Sequence, residues 1–153
     1  MIDLDLMKYK KSLKLKTEDE KRYIFDPIRK KWLVLQPEEL VRQLMILYLL
    51  EEKKYNKNRI NVEKEIVVNR LQKRCDILVF DKDMENFLLV ECKAPHVPIH
   101  HEVFKQIAWY NMALKVKYLV VTNGQETFCS IMNYEEESFE FLSRIPDYPD
   151  FIG

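Results

Sequence analysis

The chain has 153 residues, which is the size of one ordinary domain and enough to bury about two thirds of the surface of the unfolded chain. Its 47% hydrophobic and 33% charged residues exclude collagen-like, low-complexity and disordered classes. The 25 Lys and Arg residues balance 25 Asp and Glu residues, so net charge gives no argument for a nucleic-acid partner. No apolar run reaches the roughly 18 residues of a membrane span, and the first residues lack the pattern of a secretory signal. We expect a cytoplasmic protein with no membrane contact.

The cysteine and glycine contents exclude two further classes of protein. Cys75, Cys92 and Cys129 are odd in number and widely spaced, so we expect no disulfide framework. The chain has 2 glycines and no glycine-rich phosphate loop, which excludes an ATP-driven motor in this chain.

The amino-terminal fifth is the most basic part of the chain, with a run of Lys and Arg between residues 8 and 22. Such runs are usually solvated faces. Apolar residues 23–25 and 32–35 flank the turn signal Asp26-Pro27. We therefore predict that residues 1–35 form a basic extension with a small β-hairpin.

A helix is predicted from Pro37 to about Tyr55. Pro37 suits the first helical position, the acids Glu38 and Glu39 suit the first turn, and apolar residues follow at helical spacing. Strands are predicted at 60–69, 77–80 and 87–90, with the last two joined as a buried hairpin.

The second half of the chain predicts a second helix and a second strand pair. Two prolines place a loop at 94–98, and a helix should follow from His101 to about Val116. Residues 103, 107, 110 and 114 form one apolar stripe of this helix, with residues 104 and 108 beside it. Residues 118–122 and 127–132 predict a hairpin, and the end of the chain, 145–150, looks irregular. The order predicts an α/β fold with one central mixed β-sheet flanked by helices. We expect a single domain with its core at 36–135 and a carboxyl-terminal tail at 136–153.

Two acidic residues interrupt strands that are otherwise apolar. Asp76 begins one strand and Glu91 ends its neighbour. If the hairpin turns between Asp83 and Met84, residues whose numbers sum to 167 face each other, which pairs Asp76 with Glu91. Side chains alternate along a strand, so Lys93 should share the face of Glu91 while Cys92 points into the core.

Two carboxylates on adjacent strands repel each other unless a cation neutralises them. Mg²⁺, with Mn²⁺ as a substitute, suits such oxygen ligands, and the backbone carbonyl of Cys92 is a further candidate ligand. Lys93 would act as a general base, as an electrostatic clamp or by orienting a water. These groups suit attack on a phosphodiester. The alternative is structural: Asp76 ends a strand, and Glu91 and Lys93 form part of a solvated edge.

These segments resemble a known family. Arg74-Cys75-Asp76-Ile77-Leu78-Val79-Phe80 followed by Leu89-Val90-Glu91-Cys92-Lys93-Ala94-Pro95 is similar to the PD-(D/E)xK nuclease signature, in particular to the amino-terminal nuclease domain of the R subunit of type I restriction enzymes. Gln106-Ile107-Ala108-Trp109-Tyr110 resembles the QxxxY motif of that group, and residues 37–43 resemble its first core helix. One departure is Cys75, which stands where the family usually has Pro.

The resemblance implies a restriction-endonuclease-like fold and assigns roles to residues. Asp76 and Glu91 would bind the metal, Lys93 would assist the water, and Glu39 would be the acid of the first helix. Glu39 is also explained as a helix-dipole partner, with Glu38 as its competitor. Gln106 and Tyr110 would position the metal site or contact the DNA backbone, although Tyr110 also fits a buried stripe.

Other polar residues near the second helix are weaker candidates. His100 and Lys105 are candidate DNA contacts near this helix. Cys92, His96 and His100 repeat every four residues, but Pro95 and Pro98 prevent the continuous helix that a zinc site at that spacing needs. Nothing in the sequence indicates a depressed pKa for the Cys75 thiol, so Cys75 is not expected to be a nucleophile.

The sequence thus predicts a Mg²⁺-dependent nuclease that hydrolyses DNA phosphodiesters. The alternative is a nuclease-like fold that no longer cuts and serves as a DNA-binding or assembly module of a restriction or repair complex. A hydrolase of another phosphate ester is a third possibility. Neutral net charge predicts weak DNA affinity, so function would depend on a homodimer or on a separate helicase, modification or repair subunit.

Overall fold

A computed structural model describes residues 1–149. The chain starts with a 3-10 helix, Leu6–Ser12, and a three-stranded antiparallel sheet of β1 (Leu15–Glu18), β2 (Lys21–Asp26) and β3 (Lys31–Val34), with β2 in the centre. The sequence predicted only the hairpin of β2 and β3. The first strand was missed because its turn to β2 uses Asp19 and Glu20, both at positive φ, where Gly or Asn usually signals a tight turn.

Both helices are shorter than predicted. The first, α1, spans Pro37–Leu47 and continues only as a π-helical turn, Tyr48–Glu52. The second, α2, spans His101–Tyr110 and is followed by a 3-10 turn, Met112–Leu114. The α2 helix stops early because Asn111 turns its side chain back to the Ile107 carbonyl, and Lys115 then adopts a left-handed φ of 49°.

The six strands of the central sheet lie in chain order: β4 (Ile60–Val68), β5 (Leu71–Phe80), β6 (Asn86–Cys92), β7 (Tyr118–Thr122), β8 (Thr127–Asn133) and β9 (Ser138–Leu142). Only β6 and β7 pair in parallel, and the α2 segment connects them. This mixed sheet with flanking helices confirms the predicted fold class. The edge strand β9 was not predicted, and it lies in the segment that the sequence assigned to the tail.

The two faces of the sheet are covered by different cores. Helix α1 and the amino-terminal segment cover one face, which we call the α1 core and which includes Leu44, Ile77, Leu88, Val90 and Cys92. Helix α2 covers the other, which we call the α2 core and which includes Cys75, Leu78, Leu89, Phe104 and Ala108. The buried residues of α2 are Phe104 and Ala108. Ile107 packs partly buried beside them, and Leu114 is buried in the 3-10 turn after the helix, whereas Tyr110 is exposed.

Strands β4 and β5 exchange their buried faces at one point. Val62 pairs with Ile77 and Lys64 pairs with Cys75, while Glu63 between them has a left-handed φ of 56°. Cys75 lies in the α2 core and Ile77 lies in the α1 core, although side chains two positions apart normally share a face. We call this point the seam. Asp76 lies at the seam, between Cys75 and Ile77, and its carboxylate belongs to neither core.

The end of the chain is irregular but partly buried. Ile145 and Tyr148 pack in the α1 core, and the Tyr148 hydroxyl donates to the carbonyl of Phe80. The irregular segment predicted at 145–150 ends in Asp150, which lies outside the described residues. All three cysteines are buried free thiols. No helix within residues 1–149 is long and apolar enough to cross a membrane.

Candidate active site

The register of the β5–β6 hairpin brings two acids together. Ile77 pairs with Val90 and Leu78 with Leu89, which confirms the register predicted from the sequence. Asp76 and Glu91 are the next residues outward on the two strands, so their side chains are cross-strand neighbours. The buried thiol of Cys92 points into the α1 core, as the alternation along β6 predicted.

Asp76 is nearly buried and is held by two donors. Its Oδ2 accepts the backbone N–H of Cys92 at 2.7 Å, and its Oδ1 accepts Arg42 Nη2 at 2.8 Å. The bond from Cys92 ties the carboxylate to the end of β6, so its position follows from the strand pairing. Asp76 is 9% exposed, which makes the guanidinium of Arg42 its main compensating charge.

Glu91 is the acid whose ionisation the site disfavours most. Burial raises the pKa of Glu91 to about 8, and the charge of Asp76 and the hydrogen bond to it act in the same direction. Lys93 lowers the pKa of Glu91, but not enough to offset these effects. Near pH 7 Glu91 is therefore mostly protonated, chiefly because its side chain is buried.

Arg42 is a residue of this site that sequence reasoning missed. It lies on α1 and donates to Glu39 at 2.6 Å, to Glu63 at 2.5 Å and to Asp76 at 2.8 Å. Its Nε is buried without a hydrogen-bond partner among residues 1–149. The available signal was a charged residue on the apolar face of an amphipathic helix, because a buried Arg requires several acids around it.

The two acids at the start of α1 have different surroundings. Glu39, which the sequence named as a metal ligand, is bound by Arg29, Arg42 and Gln43 through both of its oxygens. Glu38 lies within electrostatic reach of Asp76 and Lys93, and burial and Asp76 raise its pKa. The assignment of Glu39 as a metal ligand stays a prediction, and Glu38 stays its competitor. Neighbouring helix residues point about 100° apart, and the sequence alone does not say which one faces the sheet.

Lys93 follows the end of β6 and contributes charge to the same group of residues. Its ammonium group lowers the pKa of both Glu91 and Glu38. Its backbone N–H donates to the carbonyl of Thr122 on β7, which fixes the main chain at this point. Within residues 1–149 the ammonium has no ion pair shorter than 4.0 Å, so it is free to contact another molecule.

Gln106 and Tyr110 are exposed on α2. Tyr110 is 65% exposed, so the alternative that it is a core residue is wrong. The ammonium of Lys73 lies 4.3 Å from the centre of the Tyr110 ring and also donates to the Tyr110 carbonyl. In the described part of the chain, no hydrogen bond joins Gln106 or Tyr110 to Asp76, Glu91 or Lys93. Their proposed role in positioning the metal site stays a prediction.

The remaining candidates lie around the site without contacting it. His100 precedes α2 and Lys105 lies on it, and both are exposed, so their assignment as DNA contacts stays a prediction. Cys75 is buried in the α2 core, and burial raises the pKa of its thiol to about 11, with Glu91 and Asp76 acting in the same direction. The Cys75 side chain is therefore a neutral thiol at physiological pH, as expected for a structural residue.

The donor set fits a hard divalent cation in chemistry and charge. Asp76 and Glu91 supply carboxylate oxygens, and Glu38 is nearby. No group of three or more His, Cys, Asp or Glu side chains arranged to hold a metal is found within residues 1–149. A pair of acids is nevertheless the protein contribution that Mg²⁺ commonly receives, with water and substrate phosphate completing its shell.

Comparisons with known proteins place this chain in a family. A fragment from Vibrio vulnificus YJ016, described as an HsdR subunit of a type I restriction enzyme, has a similar fold with a TM-score of 0.51 and 22% sequence identity. The similarity covers 73% of this chain but only 24% of that chain, so this chain spans about a quarter of its length. No curated protein matches. The family model for the amino terminus of the type I restriction enzyme R protein matches residues 37–146. The chain therefore belongs to the type I restriction enzyme R protein amino-terminal family.

Proposed function

We propose that this chain is a metal-dependent nuclease that hydrolyses phosphodiester bonds of DNA at the site formed by Asp76, Glu91 and Lys93. The observation that carries the proposal is the register of β5 and β6, which makes Asp76 and Glu91 cross-strand neighbours, with the Lys93 ammonium close enough to lower the pKa of Glu91. Membership of the R protein amino-terminal family supports a nuclease-like domain. DNA as substrate and Mg²⁺ as the ion are parts of the proposal.

Each residue of the site has a chemical task in this proposal. Asp76 and Glu91 would hold the ion, with Glu38 as an acid near the outer side of the pair and the Cys92 carbonyl as a further candidate ligand. When bound, Mg²⁺ or Mn²⁺ supplies positive charge for the phosphate and lowers the pKa of a bound water. Glu91 must lose its proton before it can serve as a ligand, so its raised pKa links metal binding to pH. Lys93 is placed to orient the attacking water or to stabilise the charge that develops on the phosphate.

Arg42 holds Asp76 in place in the absence of an ion. Asp76 Oδ1 can accept a second interaction because a carboxylate oxygen has two lone pairs, so Arg42 can stay while Asp76 binds metal. Through Glu39, Arg42 also connects the site to Arg29 in the turn between β2 and β3. We propose that Arg42 is a positioning residue of this site.

The proposed partners follow from the family and the modest size of the matched region. Type I restriction R proteins are parts of larger assemblies, and the similar fragment is about four times as long as the region it shares with this chain. We propose that this chain acts on DNA as a homodimer or together with a separate helicase, modification or repair subunit.

A test of the proposed function compares the wild type with Asp76→Asn, which keeps the shape of the side chain but removes its charge. Supercoiled plasmid is incubated with each protein in Mn²⁺, Mg²⁺ or EDTA, and Mn²⁺ binding is followed by electron paramagnetic resonance. The proposal predicts metal-dependent nicking and Mn²⁺ binding by the wild type, and loss of both in Asp76→Asn. Nicking and Mn²⁺ binding that are unchanged by Asp76→Asn would overturn it.

A catalytically inactive DNA-binding or assembly module is the second candidate. The observation that favours it is Arg42 Nη2, which already occupies one oxygen of Asp76 and partly supplies the charge that an ion would bring. The two candidates differ in the same experiment, because an inactive module would bind DNA without any metal-dependent nicking. Testing nucleotides and other phosphate esters beside plasmid DNA separates a hydrolase with a different substrate.

A further inference from the structure

Charge is divided between two parts of a chain that is neutral as a whole. Residues 1–36 contain ten Lys and Arg against six Asp and Glu, whereas residues 37–153 contain 15 Lys and Arg against 19 Asp and Glu. The first part therefore carries a formal charge of +4 and the second part carries −4. A polyanion would be attracted to the amino-terminal segment and repelled by the rest of the chain.

One face of the amino-terminal sheet combines lysines with aromatic rings. Lys16 pairs with Tyr23 across β1 and β2, and Phe25 pairs with Trp32 across β2 and β3, so these side chains project from the same face. Ile24 projects from the opposite face and is fully buried. We define the basic sheet face by these residues and their neighbours: Lys14, Lys16, Lys21, Tyr23, Phe25 and Trp32.

Two of the three lysines of this face, Lys14 and Lys16, lie directly beside its rings, and the exposed Glu18 on the same face pairs with Lys16 at 3.2 Å. The ammonium of Lys16 is 4.5 Å from the centre of the Trp32 ring and 5.8 Å from that of Tyr23, and the ammonium of Lys14 is 5.0 Å from that of Phe25. Trp32 is 37% exposed, which is unusual for a large apolar ring within a sheet. Exposed rings with adjacent cations are the combination that binds an unpaired base together with its phosphate.

The basic sheet face continues into the candidate active site. Val34 lies opposite Tyr23 at the end of β3 and is 47% exposed. It lines a cleft of about 350 Å³ together with Glu38 and Arg42. Arg42 in turn donates to Asp76, so the cleft at the end of β3 lies next to a residue that contacts the site.

We propose that the basic sheet face binds single-stranded DNA and guides it to the candidate active site. This inference rests on the proposed function, which supplies DNA as the substrate. Unpaired bases stack on Trp32 and Tyr23, and the lysines contact the phosphates between them. Single strands are favoured over duplex because the bases of a duplex are stacked on each other and have no free face for an aromatic ring.

Binding is measured in EDTA, where no cleavage occurs, by fluorescence anisotropy of labelled oligo-dT with the full chain. Trp32 and Trp109 are the only tryptophans, so the Trp109→Phe variant reports Trp32 alone. We expect oligo-dT to quench the emission of that variant. We expect Trp32→Ala to lower affinity by about 5- to 150-fold, the range for loss of one stacked base.

Lysine variants test the phosphate interactions without disturbing the core. Lys16→Gln with Lys21→Gln should weaken binding and reduce the slope of log affinity against log salt by roughly 0.7 for each phosphate that is no longer neutralised. Lys10→Gln with Lys11→Gln is the matched control, because these exposed lysines lie on the 3-10 helix outside the basic sheet face. The control should bind like the wild type, and thermal unfolding checks that all variants are folded.

The inference is overturned if the Lys16/Lys21 variant binds oligo-dT like its control, or if a hairpin duplex or oligo-rU binds more tightly than oligo-dT. The test of oligo-dT binding is independent of the test of cleavage. Asp76→Asn, which should lose cleavage, should still bind oligo-dT in EDTA. If the sheet variants bind oligo-dT like the wild type, and the wild type cleaves DNA in a metal-dependent way, only the proposal for this surface is rejected. If the sheet variants bind oligo-dT weakly, but the wild type does not cleave DNA with any metal, only the nuclease proposal is rejected.

Discussion

The candidate active site and the amino-terminal sheet use positive charge in opposite ways. In the site, the Arg42 side chain is 7% exposed and is bonded directly to Glu39, Glu63 and Asp76. In the sheet, the Lys16 side chain is 38% exposed and lies over aromatic rings, with an exposed ion pair to Glu18. Buried ion pairs fix carboxylates in one geometry, whereas exposed lysines can follow a flexible polyanion. Variants of each region test whether the site provides the chemistry of cleavage and the sheet provides the affinity for DNA, as proposed.

The largest expected effect is on cleavage by Lys93→Met. Removing the ammonium beside Asp76 and Glu91 should lower the rate of nicking by about 100- to 10,000-fold, the usual contribution of a proton-transfer or charge-stabilising group. Mn²⁺ affinity should fall little, because Lys93 is not a ligand. The measurement is nicking at saturating Mn²⁺, with Lys82→Met in the exposed hairpin turn as the control. Equal rates for the two variants would remove Lys93 from the mechanism.

The next effect is on stability, through Arg42→Met. Without the guanidinium, Asp76, Glu39 and Glu63 lose a shared partner, and breaking a buried ion pair of this kind costs about 3–5 kcal/mol. Mg²⁺ should restore part of the lost stability, because an ion bound to Asp76 replaces some of the missing charge. Urea unfolding with and without Mg²⁺ measures both effects.

Arg74→Met is the matched control for Arg42→Met. Arg74 also pairs with Glu63, but its side chain is 61% exposed, so its loss should leave stability nearly unchanged. If the two variants unfold at the same urea concentration, buried charge does not hold the site together and the contrast with the sheet fails.

A smaller effect concerns pH and depends on Glu91. Its pKa of about 8 means that metal binding must release a proton at lower pH, so Mn²⁺ affinity should rise by about tenfold per unit between pH 6 and 8 and then level off. Titrations of Mn²⁺ binding across this range measure the slope. Glu91→Gln should bind Mn²⁺ weakly and without this dependence on pH. A flat profile for the wild type would show that Glu91 is not a ligand.

The same group affects the stability of the metal-free chain. The pKa of Glu91 in the folded state lies above its usual value of 4.5, so its contribution to stability is fully present below about pH 4.5 and is lost as the pH rises through about 8. Thermal unfolding in EDTA at pH 5 and pH 8 measures the loss. Glu91→Gln should be less sensitive to pH over this window than the wild type.

The smallest effect is expected for Cys75→Ala. The Cys75 thiol has a pKa of about 11 and lies in the α2 core, so its removal should lower stability slightly and leave the rate of nicking within about twofold of the wild type. Cys129→Ala, in the α1 core, is the comparison for a cysteine far from the acids. A loss of cleavage in Cys75→Ala alone would give this position a role in the chemistry.

Much of the fold could be predicted from local patterns. The strand at 118–122, the starts of both helices and the pairing of Asp76 with Glu91 follow from apolar runs, from prolines and from the arithmetic of a hairpin. The first strand was missed because its residues are mostly exposed and polar. Strand β9 was missed because Glu140 interrupts its apolar residues, so no continuous apolar run marked it.

The site was predicted only in part, because its composition depends on contacts between distant segments. Asp76 and Glu91 lie within one hairpin, and their register can be worked out from the sequence. Arg42 and Glu63 reach the same point from a helix and from a strand with a left-handed residue, and no short-range pattern reports either. Which of Glu38 and Glu39 comes nearer to the acids of the sheet depends on how α1 is rotated against the sheet, and packing decides that rotation.

The exchange of buried faces at Glu63 and Asp76 has a mechanical consequence. The hydrophobic packing on each side of that seam is complete without the carboxylates, because Ile77 belongs to one core and Cys75 to the other. A displacement of the acids by a few tenths of an ångström would therefore open no cavity in either core. If the acids bind a cation as proposed, they can move toward it with little loss of packing in either core.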